Sequence, residues 1–158
     1  MLYEGLSKLI GQVSQPTVME VEKGAIKRFA DSVEDYNPLF WNEDYACNTR
    51  WGGTIAPPGF FGWPCYWEAM PMFDSQALEL RRAMVAGGYD RLLDGGIEFD
   101  FFLPVRAGDT LVASSRITNI REREGKGGKM LFCSAETAYY NQNGNLVAKA
   151  RKTVIGLE

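Results

Sequence analysis

The chain contains no histidine among its 158 residues. That absence removes an imidazole general base, Ser–His and Cys–His nucleophile pairs, and imidazole metal ligands. Acid–base chemistry made by this chain alone is left to carboxylates, Tyr, Lys or Cys. Cysteine is scarce as well: Cys47, Cys65 and Cys133 are an odd number with no C-x-x-C spacing. Such a set reads as reduced thiols in a cytoplasmic protein, not as a disulfide framework or a metal site. No apolar run approaches the ~20 residues of a membrane-crossing helix. The start, "MLYEGLSKLIGQVSQP", lacks a signal peptide's basic region and apolar stretch. No phosphate-cradling glycine motif of the P-loop or dinucleotide type is present. A positive charge excess is missing too, and the net charge of −3 argues against a nucleic-acid partner. The expectation is therefore no metal, no cofactor, no nucleic acid and no membrane.

What is present is ordinary for a globular protein: 46% apolar and 23% charged residues. A chain of this length suits one domain, 1–158, that buries about 70% of its extended-chain surface. "TVMEVEK", Thr17 to Lys23, reads as a short strand. "GAIKRFADSVED" then changes period: Ile26, Phe29, Ala30 and Val33 fall on one helical face. Asn37-Pro38 is expected to end that helix, because a residue before proline disfavours the α region. "TIAPPGFFGWPCYWEAMP" is apolar nearly all round between Pro58 and Ala69, the pattern of a buried helix. "DSQALELRRAMVAGG" predicts a further helix at about 75–86, capped by Asp74 or Ser75 and stopped by Gly87-Gly88.

After Gly95 the pattern is all β. "GGIEFDFFLPV" alternates Ile97, Phe99 and Phe101 with polar residues. "DTLVASSRITNI" places Leu111, Ala113, Ser115 and Ile117 on one face. "KMLFCSAETAYY" follows a glycine-rich turn, and "NQNGN" supplies an Asn-Gly hairpin signal before "LVAKARKTVIGL". The last three strands form a consecutive antiparallel meander. A long antiparallel sheet needs cover on one face, and the apolar helix supplies it. The expected class is α+β: a single hot-dog domain, a long antiparallel sheet wrapped around a buried central helix. A dimer paired through a sheet edge of the meander would also hide an exposed edge.

Four stretches carry a family likeness: "IKRFADSVEDYNPLF", "GTIAPPGFFG", "FFLPVRAGDTLVASSRI" and "YYNQNGNLVAKARKTVI". On them the chain, from about Thr17 to Ile155, resembles the MaoC-like hot-dog dehydratases and (R)-specific enoyl-CoA hydratases. It is most similar to their fatty-acid-synthase-type N-terminal dehydratase branch. The resemblance implies a hydro-lyase of acyl-CoA and fatty acid metabolism. In active members a D-x-N-P-x-H loop holds and activates the water that adds across the α,β double bond of an acyl thioester. A backbone N–H at the start of the central helix faces the thioester oxygen as it gains charge. Asp35, Asn37 and Pro38 match this motif directly, and Gly59 matches the helix-start position. Phe40 stands where the histidine belongs.

Phenylalanine can neither accept nor donate a proton, and a positioned acid–base group contributes about 100- to 10,000-fold to rate. Asp35 then has two readings: a turn carboxylate bonded to backbone N–H groups, or the surviving half of a water-binding dyad. The family resemblance implies a role for such a chain, since many members pair one hot dog that carries the Asp–His dyad with another that has lost it and houses the acyl chain. Phe40, Trp41, Phe60, Phe61, Trp63, Tyr66 and Trp67 either wall that acyl pocket or are plain core. The basic residues of the meander either meet the anionic groups of the thioester carrier or line a solvated sheet face.

Three readings stay open. The first is the non-catalytic, acyl-accommodating subunit of a heteromeric enoyl-thioester hydratase or dehydratase. Its partners would be an acyl-CoA or acyl-carrier-protein thioester and a second hot-dog subunit with an intact Asp/His dyad. The second is a stand-alone hydratase in which Asp35 works with Glu43, Asp44 or Tyr36. The third is a homo-oligomeric, dimeric hot dog that binds acyl thioesters without catalysis. A thioesterase is a weaker fourth reading, because it needs a carboxylate near the helix start and the segment offers only Glu68, well into the helix.

Overall fold

The computed structural model describes residues 3–60, 75–125 and 127–158. The central apolar helix expected between Pro58 and Ala69 falls, beyond Phe60, outside the described residues, as does Asp74. Among these residues the strands are β1 (Thr17–Glu20), β2 (Arg91–Phe101), β3 (Thr110–Gly125), β4 (Gly128–Tyr140) and β5 (Leu146–Leu157). They form one antiparallel sheet in the order β1-β3-β4-β5-β2. The β3–β4–β5 meander is the one expected from sequence. Its second turn is built by Asn141, whose Oδ1 accepts the N–H groups of Asn143 and Asn145, both at 3.0 Å. Gly144 completes it at φ 75°.

Two apolar clusters cover the sheet, both on one face. At one end, Leu111, Tyr139, Ala148 and Ala150 of the strands meet Ala25, Ile26, Phe29 and Ala30. The last four belong to α2 (Lys23–Ser32). At the other end, Ile117, Ile120, Leu131 and Cys133 meet Leu6, Leu9, Met84 and Tyr89. Leu6 lies in α1 (Glu4–Ser7), and Met84 in a helix over Ser75–Ala86 that follows four described ones and is therefore α5. Leu111 and Ile117 are the face expected for β3. A register shift between Ile117 and Asn119 then hands the inward position to Ile120.

Several expectations need correction. Helix α2 stops at Ser32, well before Asn37-Pro38, so Val33 is 52% exposed and leaves the apolar face. A Schellman turn ends it: the Asp35 N–H donates to the Ala30 carbonyl and the Glu34 N–H to the Asp31 carbonyl. The same device ends α5, through Tyr89 to Met84 and Gly88 to Val85. There Gly88 takes the left-handed position at φ 91°, whereas in α2 Glu34 must, at φ 56°. Strand β2 begins at Arg91, before the glycine pair, because a bulge at Gly95-Gly96 absorbs it. The Asp94 carboxylate accepts the Gly96 N–H at 3.0 Å and shapes that bulge. Finally, among the described residues β2 flanks β5 and forms one long open edge, while β1 flanks only Thr110–Ala113 of β3 and the segment around Val13 meets it as far as Ile117.

Two outcomes follow from these contacts. Glu34→Gly relieves the left-handed strain and raises stability by up to about 1 kcal/mol, read as a higher urea midpoint; Glu34→Val lowers it. The buried Tyr89 hydroxyl donates to the Glu122 carboxylate, holding that carboxyl below its ordinary 4.5. A depressed carboxyl stabilises the fold above its ordinary pKa, and the contribution fades as pH falls through the folded value. Burial and Glu122 push the Tyr89 phenol up, so its share fades as pH rises past about 10. Tyr89→Phe therefore lowers the melting temperature near neutrality, and the gap from wild type narrows in acid.

Candidate functional site

The Schellman turn of α2 delivers Asp35 into a loop fixed by its own polar groups. Asp35 Oδ1 accepts the Asn37 N–H at 3.1 Å, an Asx turn. Asn37 Oδ1 accepts the Leu39 N–H at 3.1 Å and caps α3 (Pro38–Trp41), with Pro38 at the first helical position. The Asp35 carbonyl accepts the Trp41 indole N–H at 2.9 Å. Each residue of the D-x-N-P spacing thus has a local bonding task. Asp35 and Trp41 are half-buried, and Asn37 is exposed.

Phe40, one turn into α3, is 4% exposed and joins the cluster of Phe29, Ala30 and Phe60. Phe60 is 1% exposed and meets Phe29 edge-on, with centroids 5.8 Å apart. Between them Gly59 holds φ 85°, and a Cβ there would stand 3.7 Å from the Phe29 ring. The described structure therefore brings the Asp35 loop, Phe40, Gly59 and Phe60 to one end of the sheet. Phe61, Trp63, Tyr66 and Trp67 lie outside the described residues. A site assembled here is dry and apolar on the Phe40 side and has one half-buried carboxylate beside it.

Of the other groups considered from sequence, Glu68 lies outside the described residues. Glu43 opens α4 (Glu43–Cys47) and is held by the Lys23 ammonium, which keeps its carboxyl below the usual range. Asp44 is exposed. Tyr36 is 66% exposed and leans on the Trp41 ring, with centroids 6.0 Å apart. Cys133 is buried, and burial pushes its thiol up to about 12, while Cys47 is an exposed thiol.

Sequence reading missed the brace behind the site. The P-V-x-x-G-D turn, Pro104 to Asp109, is closed by Asp109, which accepts the Arg106 N–H at 2.7 Å and the Gln142 amide at 2.9 Å. The Arg106 guanidinium then grips the Trp51 carbonyl through Nη2 at 2.6 Å and Nε at 3.1 Å. Five residues on, the Ala56 N–H donates to the Val105 carbonyl at 2.8 Å. The approach to Gly59 is thereby fastened to the sheet. The motif signals that turn, but nothing in its spacing names the carbonyl Arg106 would hold.

A family model described as "FAS1-like, dehydratase domain region" matches residues 8–150. A UPF0336 protein of Streptomyces coelicolor is 31% identical over 118 residues, 74% of each chain. One of Saccharopolyspora erythraea is 26% identical over 147 residues, 92% of this chain and 87% of that one. Among solved structures, the ChsH1-ChsH2 complex from Mycobacterium tuberculosis contains a chain similar at TM-score 0.82 and 14% identity, covering 99% of this chain and 96% of that one. The C-terminally truncated HadBC (3R-hydroxyacyl-ACP dehydratase) complex of the same organism gives TM-score 0.72 at 24% identity, covering 94% and 97%. The likeness to these structures makes the fold a single hot-dog domain, and the match over residues 8–150 makes the chain a member of the FAS1-like dehydratase domain family.

Proposed function

We propose that this chain is the non-catalytic, acyl-accommodating subunit of a heteromeric enoyl-thioester hydratase or dehydratase. The observation that carries the reading is Phe40. It occupies the last position of D-x-N-P-x-H and is turned into the apolar cluster, in a chain without histidine. Water addition needs a base to take a proton and an acid to return one. Asp35 Oδ1 already serves the Asn37 N–H. A partner hot dog with an intact Asp/His pair would supply both steps. This chain would contribute apolar wall at Phe40 and Phe60, and close backbone approach at Gly59. Two of the structures similar to it are complexes, ChsH1-ChsH2 and HadBC. The stand-alone reading is weaker, since Lys23 engages Glu43 and Tyr36 points outward.

The open edge offers the pairing surface. β2 is eleven residues long and exposed along nearly its whole length, and among the described strands it pairs with β5 alone. Leu92 and Ile97 are 37% and 39% exposed. Such an edge invites an antiparallel partner strand. Its acids are already met from within: Arg151 contacts Glu98 and Asp100, and Lys152 contacts Asp94.

The isolated chain is expected to hydrate a short enoyl-CoA about 100-fold or more slower than its mixture with a hot-dog chain bearing D-x-N-P-x-H. Robust turnover by the isolated chain, abolished by Asp35→Ala, would overturn the reading. Phe40→His alone should not restore the rate, because the imidazole would enter a mainly apolar cluster that was not built to fix its tautomer and direction. Sedimentation should show a paired species at micromolar concentration that Leu92→Lys with Ile97→Lys dissociates. A wild-type chain that stays monomeric even with such a partner would remove the β2 edge as the interface.

A further inference from the structure

The outer face of the sheet carries a second feature that the site does not use. Strand registers place Arg121, Phe132, Ile155 and Leu93 in one row across β3, β4, β5 and β2. The next row is Arg123, Met130, Leu157 and Arg91. Both rows lie opposite the buried clusters, because their neighbours Ile120, Leu131 and Cys133 face inward. The middle of each row is apolar and half-buried, while Leu93 is 51% exposed. Arginine stands at the borders: Arg121 and Arg123 on β3, Arg91 on β2.

These arginines are not neutralised. Among the described residues none of the three forms an ion pair, whereas Lys149, Arg151 and Lys152 further along the sheet all do. The acids that alternate with Arg121 and Arg123 are Glu122 and Glu124, which face the other way, Glu122 onto Tyr89. Arg121 and Arg123 lie over the Phe132 ring, with guanidinium carbons 5.4 and 5.8 Å from its centroid. Stacking holds a guanidinium flat against the sheet and leaves its N–H edge for an anion. In a chain of net charge −3, this is a local positive surface with an apolar floor.

The dimensions select an occupant. From β3 to β2 is three strand spacings, about 14 Å, and the two rows are about 7 Å apart along the strands. An α-helix with its side chains is about 10–12 Å across. Laid along the strands, one or two helical turns would set apolar side chains on Phe132 and Ile155. Carboxylates on both flanks would reach the bordering arginines. We infer that this face docks an acidic amphipathic helix of a partner protein, held by apolar contact on Phe132 and Ile155 and by charge at Arg91, Arg121 and Arg123. A contact this small suits transient association. It stands independently of the hydratase reading.

The test uses the full chain and a fluorescent, 16-residue helical peptide with leucines at i and i+4 spacing and glutamates flanking them. Anisotropy should report binding that weakens when salt rises from about 0.05 to 0.5 M. A lysine-flanked version should not bind. Arg121→Glu with Arg123→Glu should weaken the acidic peptide about 10-fold or more and gain the lysine-flanked one, at a melting temperature near wild type. If that variant does not fold, Arg91→Glu makes the same test from the other border. Equal binding of both peptides, no binding of either, or no response to the substitutions would overturn the inference. So would stronger binding to vesicles of phosphatidylserine and phosphatidylcholine, which would make the face a membrane surface.

Discussion

The structure depends on a sheet whose apolar clusters, among the described residues, lie on one face. Strands β3, β4 and β5 are 16, 13 and 12 residues long, and side chains alternate between faces along them except at the register shifts after Ile117 and beside Val147. Between those shifts the core residues of each strand recur at every second position. The inward rows end in two clusters, one under α2 and one under α1 and α5. Burial of Ile26, Phe29 and Ala30 fixes where α2 lies, and so fixes where its C-terminal turn releases the chain. The Asp35 loop starts from that point. Its position is a consequence of how the helix packs on the sheet.

The loop also shows why a dehydratase-family signature can be read two ways. Asp35 and Asn37 satisfy backbone N–H groups that the turn and the short helix would otherwise leave open. An N-cap of this kind is worth about 1 kcal/mol. The D-x-N-P spacing is thus sufficient to shape the loop whether or not a proton is ever transferred there. The sixth position is different. It points inward from α3, so its side chain is chosen by what surrounds it, and here Phe29 and Phe60 make that an apolar place. An aromatic ring fits the cluster, whereas an imidazole there would need a hydrogen-bond partner of its own.

Charges are matched unevenly across the sheet. Near the open β2 edge the acids Asp94, Glu98 and Asp100 are met by bases of β5, which leaves the edge close to neutral. On the outer face beside Phe132 the arginines are left unmatched. A neutral edge with exposed apolar side chains and a positive face with an apolar floor are different surfaces, suited to different neighbours.

Much of this was legible residue by residue. Alternation in "DTLVASSRITNI", the Asn-Gly turn and the closing strand determined the meander, because period-two burial and turn chemistry are local. Gly87-Gly88 marked the end of α5 for the same reason. The missing histidine determined, without any coordinates, that this chain has no imidazole to offer. Other features were decided only in three dimensions. That α2 ends at Ser32 depends on Glu34 accepting a left-handed conformation that its residue type does not advertise. That β2 lies beside β5 and forms a long open edge depends on strand order, which pairing of distant segments sets. The grip of Arg106 on the Trp51 carbonyl joins residues 55 positions apart. Local pattern fixes which way a side chain faces within its own element, but which distant group it meets is chosen by how the elements pack.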